Sequence, residues 1–314
     1  MMKKMLMFSK KIYNFFKDTD WEYKLAFFFV YIKYRNFRER NKALRYIKMG
    51  FFERNFSSIV DEYRSNKFGN NVNTGPIWFC WLQGKENMPP IVSLCYNRLI
   101  KMAPKGREVI FLHWKNLNQY VHIPEYIERK VKQGIITYTH FSDILRFALL
   151  AEHGGLWIDS TVYVASPIPE RIFEGEYYSA RTTFDSNYPG VNRCLWKCFL
   201  LGAAPNSLWF SCARDIIYAY WKEMDYFIDY LIVDYILLLI YDRNHDIKFA
   251  VDSHTELDSY ILKFEKIAGE EYSSPTYEKM CSESRWFKLT YKSSFRGYTN
   301  DGRLTYFGYL ISEK

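Results

Sequence analysis

Residues 77–159 constrain the fold most, because short apolar runs alternate there with helical patterns. Ile77-Trp78-Phe79-Cys80-Trp81-Leu82 reads as a strand, Ile91–Met102 as a helix and Glu108–His113 as a second strand. Ile123–Gln133 then reads as a helix and the β-branched run Ile135–Thr139 as a third strand. Ser142 is a favourable N-cap, and the helix it opens stops at Gly154-Gly155. Leu156-Trp157-Ile158 enters another strand, closed by Asp159-Ser160-Thr161. Strands separated by helices are joined by crossovers, so the expected fold class is α/β and Rossmann-like, with a mostly parallel sheet. Ligands of such sheets lie at the C-terminal strand ends.

The flanks differ in character. Through residue 55 there are 14 Lys and Arg against five acids in a chain whose formal net charge is +8, so the basicity belongs to one end. Lys3 to about Lys67 mixes these cations with Phe, Tyr and Ile at helical spacing, which predicts two or three amphipathic helices. Gly69–Pro76 reads as a linker, giving a basic helical segment (1–70) and a catalytic domain (71–314) with helical insertions. The second half is read as more helical through Tyr241, and Trp286–Leu310 alternates like short strands.

Composition removes several classes. Hydrophobic residues make up 48% and aromatics 19%, which excludes global disorder. Neither Leu25–Ile32 nor Tyr226–Tyr241 reaches the roughly 20 uncharged residues of a bilayer span, and the start lacks a signal-peptide pattern. The six cysteines are dispersed without a CxxC pair, as expected of reduced thiols in the cytoplasm. A nucleic-acid partner is not expected, since the remainder beyond the basic start is near neutral and no RNA-binding motif occurs.

The chemistry concentrates in one block. A helix carrying Asp143 and a strand ending at Asp159, joined by Gly-Gly, place both carboxylates at one sheet edge. No GxGxxG or GxxxxGK[ST] loop is present to cradle phosphates with backbone amides, so a divalent cation is the expected bridge to a pyrophosphate. Asp234 lies inside an apolar helical stretch, where burial without a partner is costly, so it either pairs with a base or faces a cavity.

The run SDILRFALLAEHGGLWIDSTV resembles the donor-site block of the capsular polysaccharide synthesis transferases, which are similar to glycosyltransferase family 32 and, more distantly, to the large glucosylating toxins. The resemblance begins at IWFCWLQGKENMPP and continues through WKCFLLGAAPNSL, YFIDYLIVDYILLLIY and FKLTYK. It implies a glycosyltransferase A fold and retaining, Mn²⁺- or Mg²⁺-dependent transfer from a uridine-diphosphate hexose, galactose or glucose. Carried over, Trp81 stacks on uracil, Gln83 belongs to the donor site, and Ser142 lies near the ribose or pyrophosphate. Asp143 and Arg146 hold sugar hydroxyls, and Asp159 holds the metal and ribose. Thr161 stands where the familiar DxD motif has its second acid. His254 is a candidate C-terminal metal ligand, although capsule-type relatives carry a histidine just before KLTYK, where this chain has Phe287.

Each role has a structural alternative. Trp81 and Ala151 suit packing, Asp143 suits a helix start, and Arg146, one turn on, suits pairing with it. Ala151, two turns beyond Asp143, is expected to help select the hexose, with the loop after Thr183 as the other place to look. Asp234 is the candidate β-face or acceptor-side carboxylate; the sequence does not choose between front-face transfer and a carboxylate nucleophile. The expected partners are a lipid-diphosphate-linked sugar acceptor and, through the basic start, the anionic inner face of the cell membrane. The rival is a non-catalytic nucleotide-binding adaptor at the membrane surface.

Overall fold

A computed structural model describes residues 21–64, 72–183, 190–292 and 295–312. Residues 1–20, where the first amphipathic helix of the basic segment is expected, the start of the expected linker (69–71) and the loop after Thr183 (184–189) lie outside the described residues. Among the described residues two basic helices come first, α1 (Trp21–Lys33) and α2 (Phe37–Glu62), the second capped by the Asn36 side chain, which accepts from the Arg38 and Glu39 amides.

Strand β1 (Ile77–Cys80), wholly buried, pairs in parallel with β2 (Val109–Leu112) on one side and β3 (Gly155–Ile158) on the other. The connections are α3 (Pro90–Met102) after β1, and α4 (Glu125–Lys132) with α5 (Tyr138–Glu152) after β2. This is the crossover arrangement expected of alternating strands and helices. A short antiparallel ribbon, β4 (Val162–Val164) with β7 (Trp286–Lys288), stands apart from the main sheet. The main sheet continues from β3 to β6 (Leu200–Ala203), antiparallel, and then to β5 (Tyr177–Ser179), antiparallel to β6. The strand order is β2-β1-β3-β6-β5, and four of the five strands point the same way.

The expected strand at Ile135–Thr139 is corrected. Gly134, with φ of 71°, ends α4, and the Ile135 and Ile136 amides both turn back to the Lys130 carbonyl. Thr137 then caps α5, its hydroxyl accepting from the His140 amide. Local capping therefore overrides the β-branched pattern, and Ser142 lies inside the helix rather than at its cap. The C-terminal stretch is likewise only partly extended: after β7 the chain ends in a helix, Tyr306–Ser312.

The Gly-Gly turn is a tight crossing. Gly154 and Gly155 have φ of 63° and 95°, and a Cβ at Gly155 would sit 2.1 Å from the Pro76 carbonyl oxygen. The Asn73 side chain bridges the same point, its oxygen accepting from the Gly155 amide at 2.8 Å and its nitrogen donating to the Gly155 carbonyl at 3.1 Å. Trp78 adds an indole N–H bond to the Gly154 carbonyl at 2.8 Å. The turn thus fixes where β3 emerges, and with it the position of Asp159.

Helix α5 is buried on nearly every side and packs on α6 (Leu208–Glu223). The apolar helix α7 (Ile232–Arg243) packs against both α6 and α2. Phe52 of α2 stacks on Tyr235 at 5.5 Å and on Tyr220 at 6.1 Å, so the inner face of the basic segment joins the core cluster that also holds α5.

Candidate functional site

A cleft of about 370 Å³ opens at the C-terminal ends of β1 and β3. Trp81, Gln83, Ser142, Asp159 and Thr161 all line it, so the structure brings five of the predicted donor or metal residues to one place. Trp81 is half-buried, donates its indole N–H to the Asn87 carbonyl at 3.1 Å, and meets Tyr291 edge-on at 5.7 Å. The Ser142 hydroxyl donates to the Thr139 carbonyl one turn back, at 2.6 Å. Tyr138, Thr139, Tyr230, Glu265, Tyr291 and Lys292 also line the cleft and were not singled out by sequence.

Asp159 anchors the site. Its Oδ1 accepts from Arg146 at 2.8 Å and from the Trp157 indole at 2.8 Å, while Oδ2 pairs with Lys288 at 3.0 Å. Arg146 is 3% exposed and spans two carboxylates, its other terminal nitrogen lying 3.0 Å from Asp143. Burial pushes the Asp159 carboxyl up, but Lys288, Arg146 and the Trp157 N–H outweigh it and hold it below the ordinary carboxylate range. Asp143 goes the other way: burial, with Arg146 opposing and Asp159 and Asp234 adding like charge, raises it to about 7. Two carboxylates on one guanidinium thus acquire opposite tendencies, and the ionised one faces the cleft.

Lys288, to which the sequence reading gave no role, also lines the cleft. The strand β7 holds it opposite Val162, and the preceding Phe287 turns inward, where it is fully buried and stacked on Phe264 at 4.4 Å. Position 287, where the resemblance implied a histidine, therefore faces the core in this chain. Trp286 and Phe287 are both buried, so the short run carries no alternation that would have marked Lys288.

Three predicted residues lie elsewhere. Ala151 is 2% exposed within the core cluster and does not line the cleft; eight residues of helix put it about 12 Å along the axis from Asp143. His254 lines a different cleft of about 410 Å³ with Arg171, Tyr178 and Glu256, and its ring meets Tyr178 edge-on at 5.3 Å. Burial lowers its pKa. Asp234 is buried behind the site, where its Oδ1 accepts from the Trp196 indole at 2.9 Å, Cys198 Sγ at 3.0 Å and Asn192 at 3.3 Å. Three uncharged donors satisfy it, the Lys197 ammonium acts on it as a nearby charge, and burial raises its pKa. Asp143 and Arg146 also sit beneath the cleft rather than on its wall.

Among the described residues no group of three or more His, Cys, Asp or Glu converges to hold a metal. Besides Asp159, the oxygen-bearing side chains of Ser160, Thr161 and Glu265 line the cleft. Such a set does not make an all-protein cage. It fits a divalent cation shared with a diphosphate, since Mg²⁺-type ions are commonly held by one or two carboxylates plus substrate phosphates and water.

No curated protein matches the chain significantly. Among solved structures it is similar to one titled as the apo structure of the bifunctional glycosyltransferase WbbM, with 10% identity, 79% of this chain and 50% of that one covered, and a TM-score of 0.38. The chain thus spans about half the length of that structure, and a likeness at this level says nothing further of fold or site. The capsular polysaccharide synthesis protein family matches residues 27–310. With nearly all of its length matched, the chain belongs to the capsular polysaccharide synthesis protein family.

Proposed function

We propose that the protein is a glycosyltransferase that moves a hexose from a uridine-diphosphate sugar to a lipid-diphosphate-linked sugar during capsular polysaccharide synthesis. The observation that carries this reading is the ionised Asp159 at the end of β3, held between Arg146 and Lys288 in a cleft walled by Trp81 and Ser142. Trp81 offers a face to the base, and Ser142 and Gln83 polar groups to the ribose and diphosphate. Asp159, with the Thr161 hydroxyl beside it, would hold Mn²⁺ or Mg²⁺, which neutralises charge developing on the leaving diphosphate. Asp143 and Arg146 fix the orientation of Asp159 from beneath. The chain's length, basic start and block pattern also resemble the α-galactosyltransferase of pneumococcal serogroup 6 capsule loci, which makes retaining transfer and galactose, with glucose second, the reading for stereochemistry and donor. Incubation with Mn²⁺, a panel of uridine-diphosphate hexoses and a lipid-diphosphate sugar should give a product one hexose heavier by mass spectrometry. Absence of both transfer and slow donor hydrolysis with every hexose would refute it.

The basic helices supply the second part of the proposal, peripheral contact with an anionic membrane. On α1 the side chains of Phe28, Phe29, Tyr31 and Ile32 are exposed, flanked by Lys24 and Lys33 and followed by Arg35. No helix among the described residues is long and apolar enough to cross a membrane. Lys48 of α2 pairs with Asp229, whose neighbour Tyr230 lines the cleft, so this face is tied to the cleft's lip. The protein should co-sediment with anionic vesicles and be released by salt, each near-surface cation contributing on the order of 1 kcal/mol. Binding indifferent to lipid charge and to salt would disprove it.

A further inference from the structure

The cleft has a cationic side to which the family resemblance assigns no role. Among the described residues lining it, the cations are Lys288 and Lys292, four apart at the end of β7 and just beyond it. Arg146 cannot serve a ligand: it is 3% exposed, both of its terminal nitrogens are on carboxylates, and it lies beneath the wall. Lys288 differs in each respect. Its side chain is 22% exposed, its one ion pair is to Oδ2 of Asp159, its ammonium also lies 4.8 Å over the Phe199 ring, and its flexible stem lets a compact ammonium swing between partners.

Asp159 does not depend on that contact. Its Oδ1 already receives the Arg146 guanidinium and the Trp157 indole, so the carboxylate stays paired if Lys288 turns away. A diphosphate entering the cleft is a stronger anion than a carboxylate, with more acceptor oxygens, and no glycine-rich loop offers amides for it. Lys292 is exposed at the same mouth, on the segment that also carries Tyr291 against Trp81. A base on Trp81 would therefore bring its phosphates toward the lysines.

We infer that Lys288 and Lys292 form the diphosphate-binding side of the cleft, Lys288 exchanging its ion pair with Asp159 for one with the donor's diphosphate. This rests on the reading that the cleft takes a nucleoside-diphosphate sugar. In the empty protein Lys288 balances the Asp159 charge; with donor bound, it balances phosphate instead.

Calorimetric titration in Mn²⁺ buffer with two probes, uridine diphosphate and uridine, tests it on the full-length protein. The variants are Lys288→Gln, Lys292→Gln and the conservative Lys288→Arg, each checked by thermal melting. Each glutamine variant should bind uridine diphosphate about tenfold or more weakly, as loss of a charged hydrogen bond requires, with uridine affinity unchanged. Lys288→Arg should recover most of the loss. Unchanged affinity for uridine diphosphate in a folded glutamine variant would overturn that lysine's assignment while leaving the donor reading standing. Wild-type protein that binds no uridine diphosphate would refute the donor reading itself, and the lysine assignment with it.

Discussion

Alanine at position 146 is expected to remove about 3–5 kcal/mol of stability, the range for taking one member from a buried charge network. Arg146 is 3% exposed, and its guanidinium is the shared partner of Asp143 and Asp159. Without it Asp143 keeps no ion pair, with the like charges of Asp159 and Asp234 close by. The size of the loss should depend on pH, and its sign is fixed. Asp143 already has a folded-state pKa near 7, above its ordinary 3.8, although Arg146 pulls it down; losing Arg146 raises it further. A carboxyl whose folded pKa is raised destabilises the fold increasingly as pH climbs from 3.8 through the folded value. Below about 7 Asp143 is protonated in both folded proteins and costs each the same, so the added deficit of Arg146→Ala should open as pH rises through 7 and be larger at pH 8 than at pH 5–6, measured by denaturant unfolding. Lysine should rescue only part, because a single ammonium cannot span both carboxylates in the fork geometry. A deficit below about 1 kcal/mol, or one insensitive to pH, would show that the network is not a stability element.

The sequence made the first half of the sheet and the block from α5 to Asp159 legible because both rest on local pattern. Apolar runs at Ile77 and Glu108–His113, and the paired glycines before Leu156, mark elements whatever packs on them. Strands β5 and β6 were not legible: Leu200-Leu201-Gly202-Ala203 sits within an apolar stretch lacking periodicity, and its pairing is non-local. Gly202 has a packing reason, since a Cβ there would meet Tyr178 Cβ at 3.2 Å, but only the folded neighbour reveals it. At Ile135–Thr139 a cap outweighed β-propensity. The site divides similarly. Asp159 was readable as an acid closing an apolar strand, whereas the contributions of Lys288 and Lys292 depend on β7 returning to β4 from more than 120 residues away. Ala151 and His254 were placed by helix geometry and by analogy, and neither reaches the cleft. Asp234 shows the limit of charge reasoning: its hydrogen-bond partners are an indole, a thiol and an amide, which pairing rules for ions do not anticipate.

Asp159→Asn is expected to lower hexosyl transfer about 10²–10³-fold, comparable to removing one preorganised electrostatic group from a transition state, while the protein stays folded. The substitution keeps volume and keeps Oδ1, so the bonds from Arg146 at 2.8 Å and from the Trp157 indole at 2.8 Å can persist. Arg146 also retains Asp143, which limits the stability loss to about 2 kcal/mol, near that of a weakened charged hydrogen bond. What disappears is the anion at the mouth of the cleft. Under the proposed function that anion is the carboxylate shared between cation and diphosphate, so both cation affinity and turnover should fall. The Asp159 carboxyl is held below the ordinary range in the wild type, so it is fully ionised at neutral pH and the variant removes a complete charge. Mass-spectrometric turnover, thermal melting and Mn²⁺ titration of the same preparation separate the cases. Near-wild-type turnover in the folded variant would remove Asp159 from the reaction. Loss of turnover together with unfolding would instead mark it as a structural member of the Arg146 network. A folded, inactive variant with weakened Mn²⁺ binding is the outcome that the position of Asp159, on the cleft wall and with Oδ2 held by the half-buried Lys288, leads us to expect.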